Sequence, residues 1–302
     1  MKILNFGSLN IDYVYKVDHI VKKGETISSQ SLNLFSGGKG LNQSVALGKS
    51  GVNVYHAGAI GSDGGFLLDI LKEAGVNTTY VDILDMVQTG SAIIQNDKDG
   101  ENCIILYGGA NQMIQKSHID KVLSDFSEGD FLILQNEINE LPYLIEKAHQ
   151  KKLTVVLNPS PMDEKVFELP LNYIDYFILN EVEAMQLTGG VVDQKDIIER
   201  LGEKFPRAKI VLTLGQEGSL FTDGKKVIGQ KSYKVETVDT TGAGDTYTGY
   251  FISGIVKETG IQKAMELASK ASAIAVSRAG AAPSIPSIEE VMRFDSTYLS
   301  RK

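Results

Sequence analysis

Short, nearly continuous apolar runs alternate with helical segments through the middle of the chain, and this alternation restricts its fold more than any other feature. Residues 131–134, 154–157, 176–179 and 210–214 are too short for helices and lack the every-other-residue polarity of a strand with one wet face. Segments 141–150 and 195–205 between them read as helices. Strands apolar on both sides and separated by helices indicate a mostly parallel sheet covered on both faces. A first strand over 2–8, apolar at Ile3, Leu4 and Phe6, a strand over 53–60 and a helix over 64–74 extend the pattern. Runs 219–221 and 226–228 flank Thr222-Asp223-Gly224-Lys225 as a hairpin. The C-terminal third is helical, with Ala264, Leu267, Ala268, Ala271 and Ala275 on one small-residue face.

Two other β-rich stretches read differently. Segments 13–17 and 31–35, and the stretch 89–107 with its turn at Asp97-Lys98-Asp99-Gly100, alternate like solvated, polar-faced strands and are expected to form one small sheet. A helix follows Gly38, with Leu41, Val45 and Gly48 at i, i+4 and i+7. The 302 residues allow one large domain or two. No linker, repeat or low-complexity segment divides them, so a single domain over 1–302 is expected.

Composition excludes several functions. With 30 Lys+Arg against 38 Asp+Glu the net charge is −8, and there is no basic run, so nucleic acid is not an expected partner. Cys103 is the one cysteine, which rules out an intrachain disulfide and a Cys-based zinc site and suits a reducing compartment. His19, His56, His118 and His149 show neither HxH nor HExxH spacing. The N-terminus lacks an apolar core of the secretory kind and no stretch approaches the ~18 apolar residues of a membrane span. A soluble cytoplasmic protein without membrane partners is expected.

Two glycine clusters carry the chemistry. Val238-Asp239-Thr240-Thr241-Gly242-Ala243-Gly244-Asp245-Thr246 precedes a helical run in which Tyr247, Tyr250, Phe251 and Ile255 share a face. A Gly-Ala-Gly turn opening a helix aims unpaired N–H groups, and the roughly half charge of the helix dipole, at one point. That is an anion hole. A carboxylate at its mouth repels an anion that is merely to be held. Asp245 makes sense as a base that takes a proton from a hydroxyl while the amides stabilise charge on a transferred group. The residues alone leave open the blander reading that Asp245 only caps the helix.

The second cluster, Ser36-Gly37-Gly38-Lys39-Gly40-Leu41-Asn42, also opens a helix. Its glycines let the backbone approach a ligand closely, and Lys39 and Asn42 can donate to hydroxyls or phosphate oxygens. Asn10 and Asp12, two apart on an extended chain, lie on one side and suit vicinal hydroxyls, though such residues after a strand are also turn formers. Familiar phosphate loops fail by counting. Gly48-Lys49-Ser50 could end a GxxxxGK[ST] loop, but its first glycine position is Gln43, and GxGxxG fails because Gly242-Ala243-Gly244 runs into Tyr247. A Rossmann dehydrogenase is disfavoured.

Taken in order, the Asn10-Ile11-Asp12 pair, the GGKGLN cluster, Leu179-Asn180-Glu181-Val182-Glu183, Thr213 to Gly218 and the DTTGAGD run resemble the PfkB-type carbohydrate kinases, and within them the ribokinases, over residues 10–286. The resemblance implies a ribokinase-like three-layer α/β/α sandwich with a mostly parallel central sheet and a small β-sheet lid, from segments about 13–36 and 89–107. It implies Asp245 as general base, with the Gly242, Ala243 and Gly244 amides on the transferring phosphoryl. Asn10, Asp12, Gly38, Lys39, Gly40, Asn42 and Glu137 would bind the sugar. Asn180 and Glu183 would position Mg²⁺ and the triphosphate. Thr213, Leu214, Gly215, Gln216, Glu217 and Gly218 would border the nucleotide together with Asn180 and Gly244. Asp239, Thr241, Ala275, Arg278, Gly280 and Ser284 would hold a monovalent cation, K⁺. The implied reaction is ATP-dependent phosphorylation of a sugar hydroxyl, D-ribose at O5. Fructose, a 2-keto-3-deoxy sugar acid or a nucleoside are the alternative acceptors, and a catalytically silent sugar or nucleotide sensor is the alternative of another class. A homodimer through the lid is expected, because short strands with open edges need covering.

Overall fold

The computed structural model describes residues 1–294. Among these, a nine-stranded sheet is built from β1 (Ile3–Phe6), β4 (Val54–Gly61), β5 (Asn77–Leu84), β8 (Phe131–Gln135), β9 (Thr154–Asn158), β10 (Tyr176–Asn180), β11 (Lys209–Thr213), β12 (Ser219–Thr222) and β13 (Val227–Gln230). Its order is β13-β12-β11-β10-β9-β8-β1-β4-β5. All neighbours pair in parallel except the terminal hairpin, where β12 runs antiparallel to both β11 and β13.

Helices cover both faces. The period of two along each strand sends Ile3, Phe131, Ile133, Val156 and Ile178 to a layer of α1 (Lys39–Lys49), α2 (Gly65–Glu73), α7 (Ala243–Val256) and α8 (Ile261–Val276). Their neighbours Leu4, Phe6, Leu132, Leu134, Val155 and Leu157 face α3 (Lys116–Ser124), α4 (Leu141–Gln150), α5 (Glu181–Leu187) and α6 (Gln194–Lys204). This is the three-layer sandwich expected from the apolar runs. The sequence reading missed β5, an edge strand whose Asn-Thr-Thr start lacks a continuous apolar run, and α3, a polar helix that buries Ile119, Val122 and Leu123.

A second sheet joins β3 (Ser31–Gly37), β2 (Asn10–Lys16), β6 (Gly90–Asn96) and β7 (Asn102–Tyr107), in that order. The two distant β-rich stretches meet through a parallel β2–β6 pair. Its faces are not the polar ones read from the alternation. Leu32, Leu34, Phe35, Ile93, Ile104, Ile105 and Leu106 are exposed on it, because among the described residues no helix covers them.

The two helices that follow the glycine clusters, α1 and α7, pack against each other. Gly249, one turn beyond Asp245, sits where a Cβ would lie 2.5 Å from Ala46 Cβ and 3.0 Å from the Leu47 nitrogen. A helical Gly→Ala change ordinarily stabilises by about 1 kcal/mol. Overpacking against a backbone costs about 1–3 kcal/mol and reverses that gain here. Gly249→Ala is therefore expected to lower the melting temperature; an unchanged or raised value in calorimetry would show that the two helices part freely.

Candidate active site

In a sheet that grows outward in both directions from β1 and β8, the carboxyl ends of those two strands form the crevice where open α/β sheets bind ligands. Ser8 follows β1 and Glu137 follows β8, and the Ser8 hydroxyl donates to Glu137 Oε2 across the gap. The Lys39 N–H, at the start of α1, donates to the same oxygen at 2.9 Å. Burial raises the Glu137 carboxyl above the ordinary range, against the pull of the Ser8 hydroxyl and Lys39.

Asp245 is the third residue of α7 and is 6% exposed. No side chain caps this helix, which disposes of the reading that Asp245 only caps it. Two amides of α1 hold the carboxylate instead: Asn42 Nδ2 donates to Oδ2 at 3.1 Å and Gln43 Nε2 to Oδ1 at 2.9 Å. Gly242 begins the turn in the left-handed region, φ 73°, which glycine tolerates without strain. The Ala243 N–H is turned to the Thr240 carbonyl at 3.2 Å. The N–H groups of Gly244 and Asp245, at the second and third helical positions, have no partner within the helix. Of the expected trio, the Ala243 amide is thus taken by the protein itself.

Glycines 37, 38 and 40 turn out to serve the protein's own packing. A Cβ on Gly40 would fall 2.3 Å from the Ser8 nitrogen, and one on Gly37 would fall within 2.4 Å of the Asp12 carboxyl carbon. Gly38 has φ 92°. Asp12 is tucked against Gly37, and burial, then the nearby Glu137, pushes its carboxyl up to about 7. Asn10 Oδ1 accepts from Asn111 Nδ2 at 2.7 Å, and Asn111 also exchanges bonds with the Leu9 backbone. Lys39 is half-buried, which favours its neutral form, but the carboxylates of Asp245, Glu137 and Glu183 outweigh that and raise its affinity for the proton.

Two cavities adjoin at Thr213, Thr240 and Gly244. The smaller, about 230 Å³, brings Lys39, Asn180, Glu183, Gly242, Gly244 and Asp245 together. The larger, about 510 Å³, is lined by Thr213, Gly215, Gln216 and Gly218, with residues 232–235 and the α8 side chains Ser269 and Ser272. Of the expected nucleotide stretch, two residues point elsewhere. Leu214 belongs to the core and Glu217 accepts from Gln194 Nε2 at 3.0 Å.

Asn180 and Glu183 form a capping box on α5: Glu183 Oε2 accepts from the Asn180 N–H and Oε1 from Asn180 Nδ2, while Asn180 Oδ1 accepts from the Glu183 N–H. Glu183 is 3% exposed, so it is not the solvated helix face. Burial, partly offset by the Asn180 N–H, raises its carboxyl. No cluster of three or more His, Cys, Asp or Glu among the described residues is arranged to hold a metal ion. Near the C-terminus of α8, Asp239 Oδ1 accepts from the Thr241 N–H and hydroxyl, at 2.9 and 2.6 Å, and Oδ2 from the Gly280 N–H at 2.9 Å. Burial works against this charge, but those bonds outweigh it and hold the carboxyl below its ordinary range. Ala275 O accepts from the Arg278 N–H, and buried Ser284 donates to Ala281 O. The Arg278 side chain turns outward to Glu290 at 2.5 Å, so any part it takes in a cation site falls to its main chain.

Residues 1–288 match the pfkB family carbohydrate kinases. The chain belongs to that family. It is an ATP-dependent carbohydrate kinase. It is 32% identical to the ribokinase of Haemophilus influenzae over 95% of this chain and 96% of that one. It is 30% identical to the deoxyribokinase of Salmonella typhi, over 96% and 97%. The Arabidopsis thaliana ribokinase complexed with ribose and ATP superposes with a TM-score of 0.86 at 27% identity, covering 97% of this chain and 99% of that one.

Sequence reasoning missed Gln43, Asn111, Ser8 and the α8 wall of the larger cavity in this kinase. Gln43 was readable only as the residue that spoiled a phosphate loop, and Ser8 as the end of a strand; the signal in both was a polar residue at the carboxyl end of an apolar strand or beside the GGKGLN run.

The displaced Asp12 carboxyl has a sign that can be tested. Its folded form favours the proton, so its contribution to stability is fully present below about 4, its ordinary range, and is lost as pH rises through about 7. Asp12→Asn stays neutral throughout. It is expected to melt higher than the native protein at about pH 8 and to lose that advantage by about pH 4; a difference independent of pH would show that this carboxyl titrates normally.

Proposed function

We propose that this kinase transfers the terminal phosphoryl group of MgATP to the primary hydroxyl of a pentose, D-ribose at O5. The observation that carries the reading is the smaller cavity. There a buried carboxylate, held by two neutral amide donors, shares the cavity with the open end of a helix and the half-buried Lys39. Asp245 takes the hydroxyl proton as the oxygen attacks. The amides at the start of α7 and the Lys39 ammonium meet the charge on the transferred group, in a site already dry enough for those charges to count. Lys39 thus sits closer to the phosphoryl than to the sugar. The larger cavity takes the nucleotide.

Asp12 and Glu137, with Asn10, Gly38, Gly40 and Asn42 around them, suit the ring hydroxyls as acceptors and donors. The names of the relatives, ribokinase and deoxyribokinase, favour a pentose over a hexose. The chain acts as one domain over 1–302, with the small sheet as a lid that excludes water.

Glu183 and Asn180 suit Mg²⁺ held through its waters and the ATP phosphates, since that ion keeps several waters and takes few protein ligands; bound there, it neutralises the triphosphate. The Asp239–Thr241 turn, the Gly280 and Ser284 loop and the carbonyl end of α8 at Ala275 suit a monovalent cation, K⁺, because a helix C-terminus carries partial negative charge.

Asp245→Ala is expected to lower kcat by about 10²–10⁴ while leaving the KM for ribose nearly unchanged. A coupled assay on ribose, 2-deoxyribose, fructose, ketodeoxygluconate and adenosine reads both points. Near-native turnover by the variant would overturn the base assignment, and a sugar other than ribose preferred by kcat/KM would overturn the acceptor.

The exposed Leu34, Phe35, Ile104, Ile105 and Leu106, beside the open outer edges of β3 and β7, suit the same sheet of a second copy. Sedimentation at micromolar concentration is expected to give a dimer. A monomer would sink this part alone.

A further inference from the structure

Asp245 is held by a chain of amides that runs from α1 across three strands of the large sheet, and each amide in it has only one workable orientation. Asn5 Nδ2 donates to the Gly40 carbonyl and to Ser44 Oγ, both at 2.8 Å. A main-chain carbonyl can only accept, so the Asn5 amide must present its NH₂ to α1 and its oxygen to β8. That oxygen accepts from Gln135 Nε2 at 2.9 Å, and the same NH₂ donates to Gln43 Oε1 at 2.7 Å. Gln43 is left with its NH₂ facing Asp245 Oδ1 and Asn158 Oδ1, at 2.9 and 3.2 Å. Asn158 is fixed in turn by donating to the Ile178 carbonyl at 2.9 Å. Two main-chain carbonyls, one on α1 and one on β10, thus dictate from opposite sides that Gln43 offers a donor to the catalytic carboxylate.

We infer that Gln43, oriented by Gln135, is a positioning residue for phosphoryl transfer: it fixes the rotamer of Asp245 and keeps one carboxylate oxygen directed at the sugar hydroxyl. This rests on the reading of Asp245 as the general base. The physical need is plain. Asp245 is at the third position of its helix with no bond to its own helix end, so nothing on α7 sets the direction of its side chain. The charged groups around it, Lys39, Glu137 and Glu183, act through space and leave its torsions free. Neutral amide donors supply direction without supplying a proton. Asn42 holds the other oxygen through a single bond of its NH₂, and its Oδ1 is buried with no partner among the described residues; Gln135 Oε1 likewise lacks one, but the Gln135 NH₂ is fixed by two acceptors, Asn5 Oδ1 and Gln43 Oε1. Misplacing a reacting group by about 1 Å can lower a rate by about 10².

The test is a cycle of variants in the coupled assay. Gln43→Met keeps the length of the side chain and removes both ends of the amide. It is expected to lower kcat by about 10–100-fold, with KM for ribose and for ATP within about threefold. Gln135→Met never touches Asp245, and is expected to lower kcat in the same sense by freeing the Gln43 amide to turn. The double variant is expected to lose no more than the worse single one, because both act on one bond. In the Asp245→Ala background, Gln43→Met is expected to have no further effect on residual turnover. Val122→Ala, fully buried on α3 on the opposite face of the sheet, controls for mere loss of stability and is expected to leave kcat unchanged below its melting point. If Gln43→Met fails to fold, Gln43→Glu keeps the shape but sets a carboxylate against Asp245, and near-native kcat in it would overturn the proposal. Native kcat in Gln43→Met and Gln135→Met, with Asp245→Ala impaired, would overturn the positioning role and leave the base assignment standing. Native turnover in Asp245→Ala would remove both.

Discussion

The crossing of α1 and α7 is the constraint on which the site depends. Each helix brings part of the candidate site: α7 carries Asp245 and the open N–H groups, and α1 carries Lys39, Asn42 and Gln43. Neither part works at a distance, since the amide-to-carboxylate bonds reach only about 3 Å. The two axes approach closely because Gly249 offers no side chain to Ala46 and Leu47. The N-terminus of α1 is pinned by a second such approach, Gly40 against Ser8 and Gly7. Glycine therefore sets the geometry of the reacting groups from behind, by controlling how near two helices and a loop can come.

Burial of charge is the other side of that geometry. Asp12, Glu137 and Glu183 have carboxyls raised by burial, with Asp245 and Lys39 among them. The carboxylates of Asp245, Glu137 and Glu183 around the single Lys39 ammonium leave the pocket net negative, which would repel a triphosphate approaching unaided. The opposing terms are local: the ammonium itself and the helix N-terminus with about half a positive charge. An acidic protein with a formal charge of −8 is thus able to bind phosphate without a basic patch, because the relevant field is set within a few ångströms and not by the sum over the surface.

The fold was legible where burial on both faces wrote itself as continuous apolar runs, in β8 to β11, and where turn chemistry was explicit, in the β12–β13 hairpin. It was illegible at β5, whose edge position leaves half its residues in water, and on the small sheet, whose alternation reads as solvated while its apolar side chains stand uncovered. The turn at the start of α7 was legible as one that frees backbone N–H groups, whereas at α1 the Lys39, Gly40 and Leu41 N–H groups are taken by Glu137 and Ser8, which lie elsewhere in the sequence. Which amide points at the hole was not legible, since the Ala243 N–H is diverted by a carbonyl three residues earlier, a detail of backbone torsion.

The amide chain behind Asp245 shows why the rest lay beyond the sequence. Asn5, Gln135 and Asn158 belong to three different strands, and each looks in isolation like a polar blemish in an apolar run. Their common meaning arises from the period of two, which turns all three toward the α1 and α7 layer, and from parallel pairing, which sets Gln135 beside Asn158. Each would be costly to bury alone, by roughly 1–3 kcal/mol for an unpaired amide. Joined end to end they become tolerable only if every orientation agrees, and that agreement is fixed by two main-chain carbonyls that no side-chain pattern reveals. The same requirement restricts the network to one arrangement, so the direction of the Asp245 carboxylate is tied to main-chain carbonyls on α1 and β10.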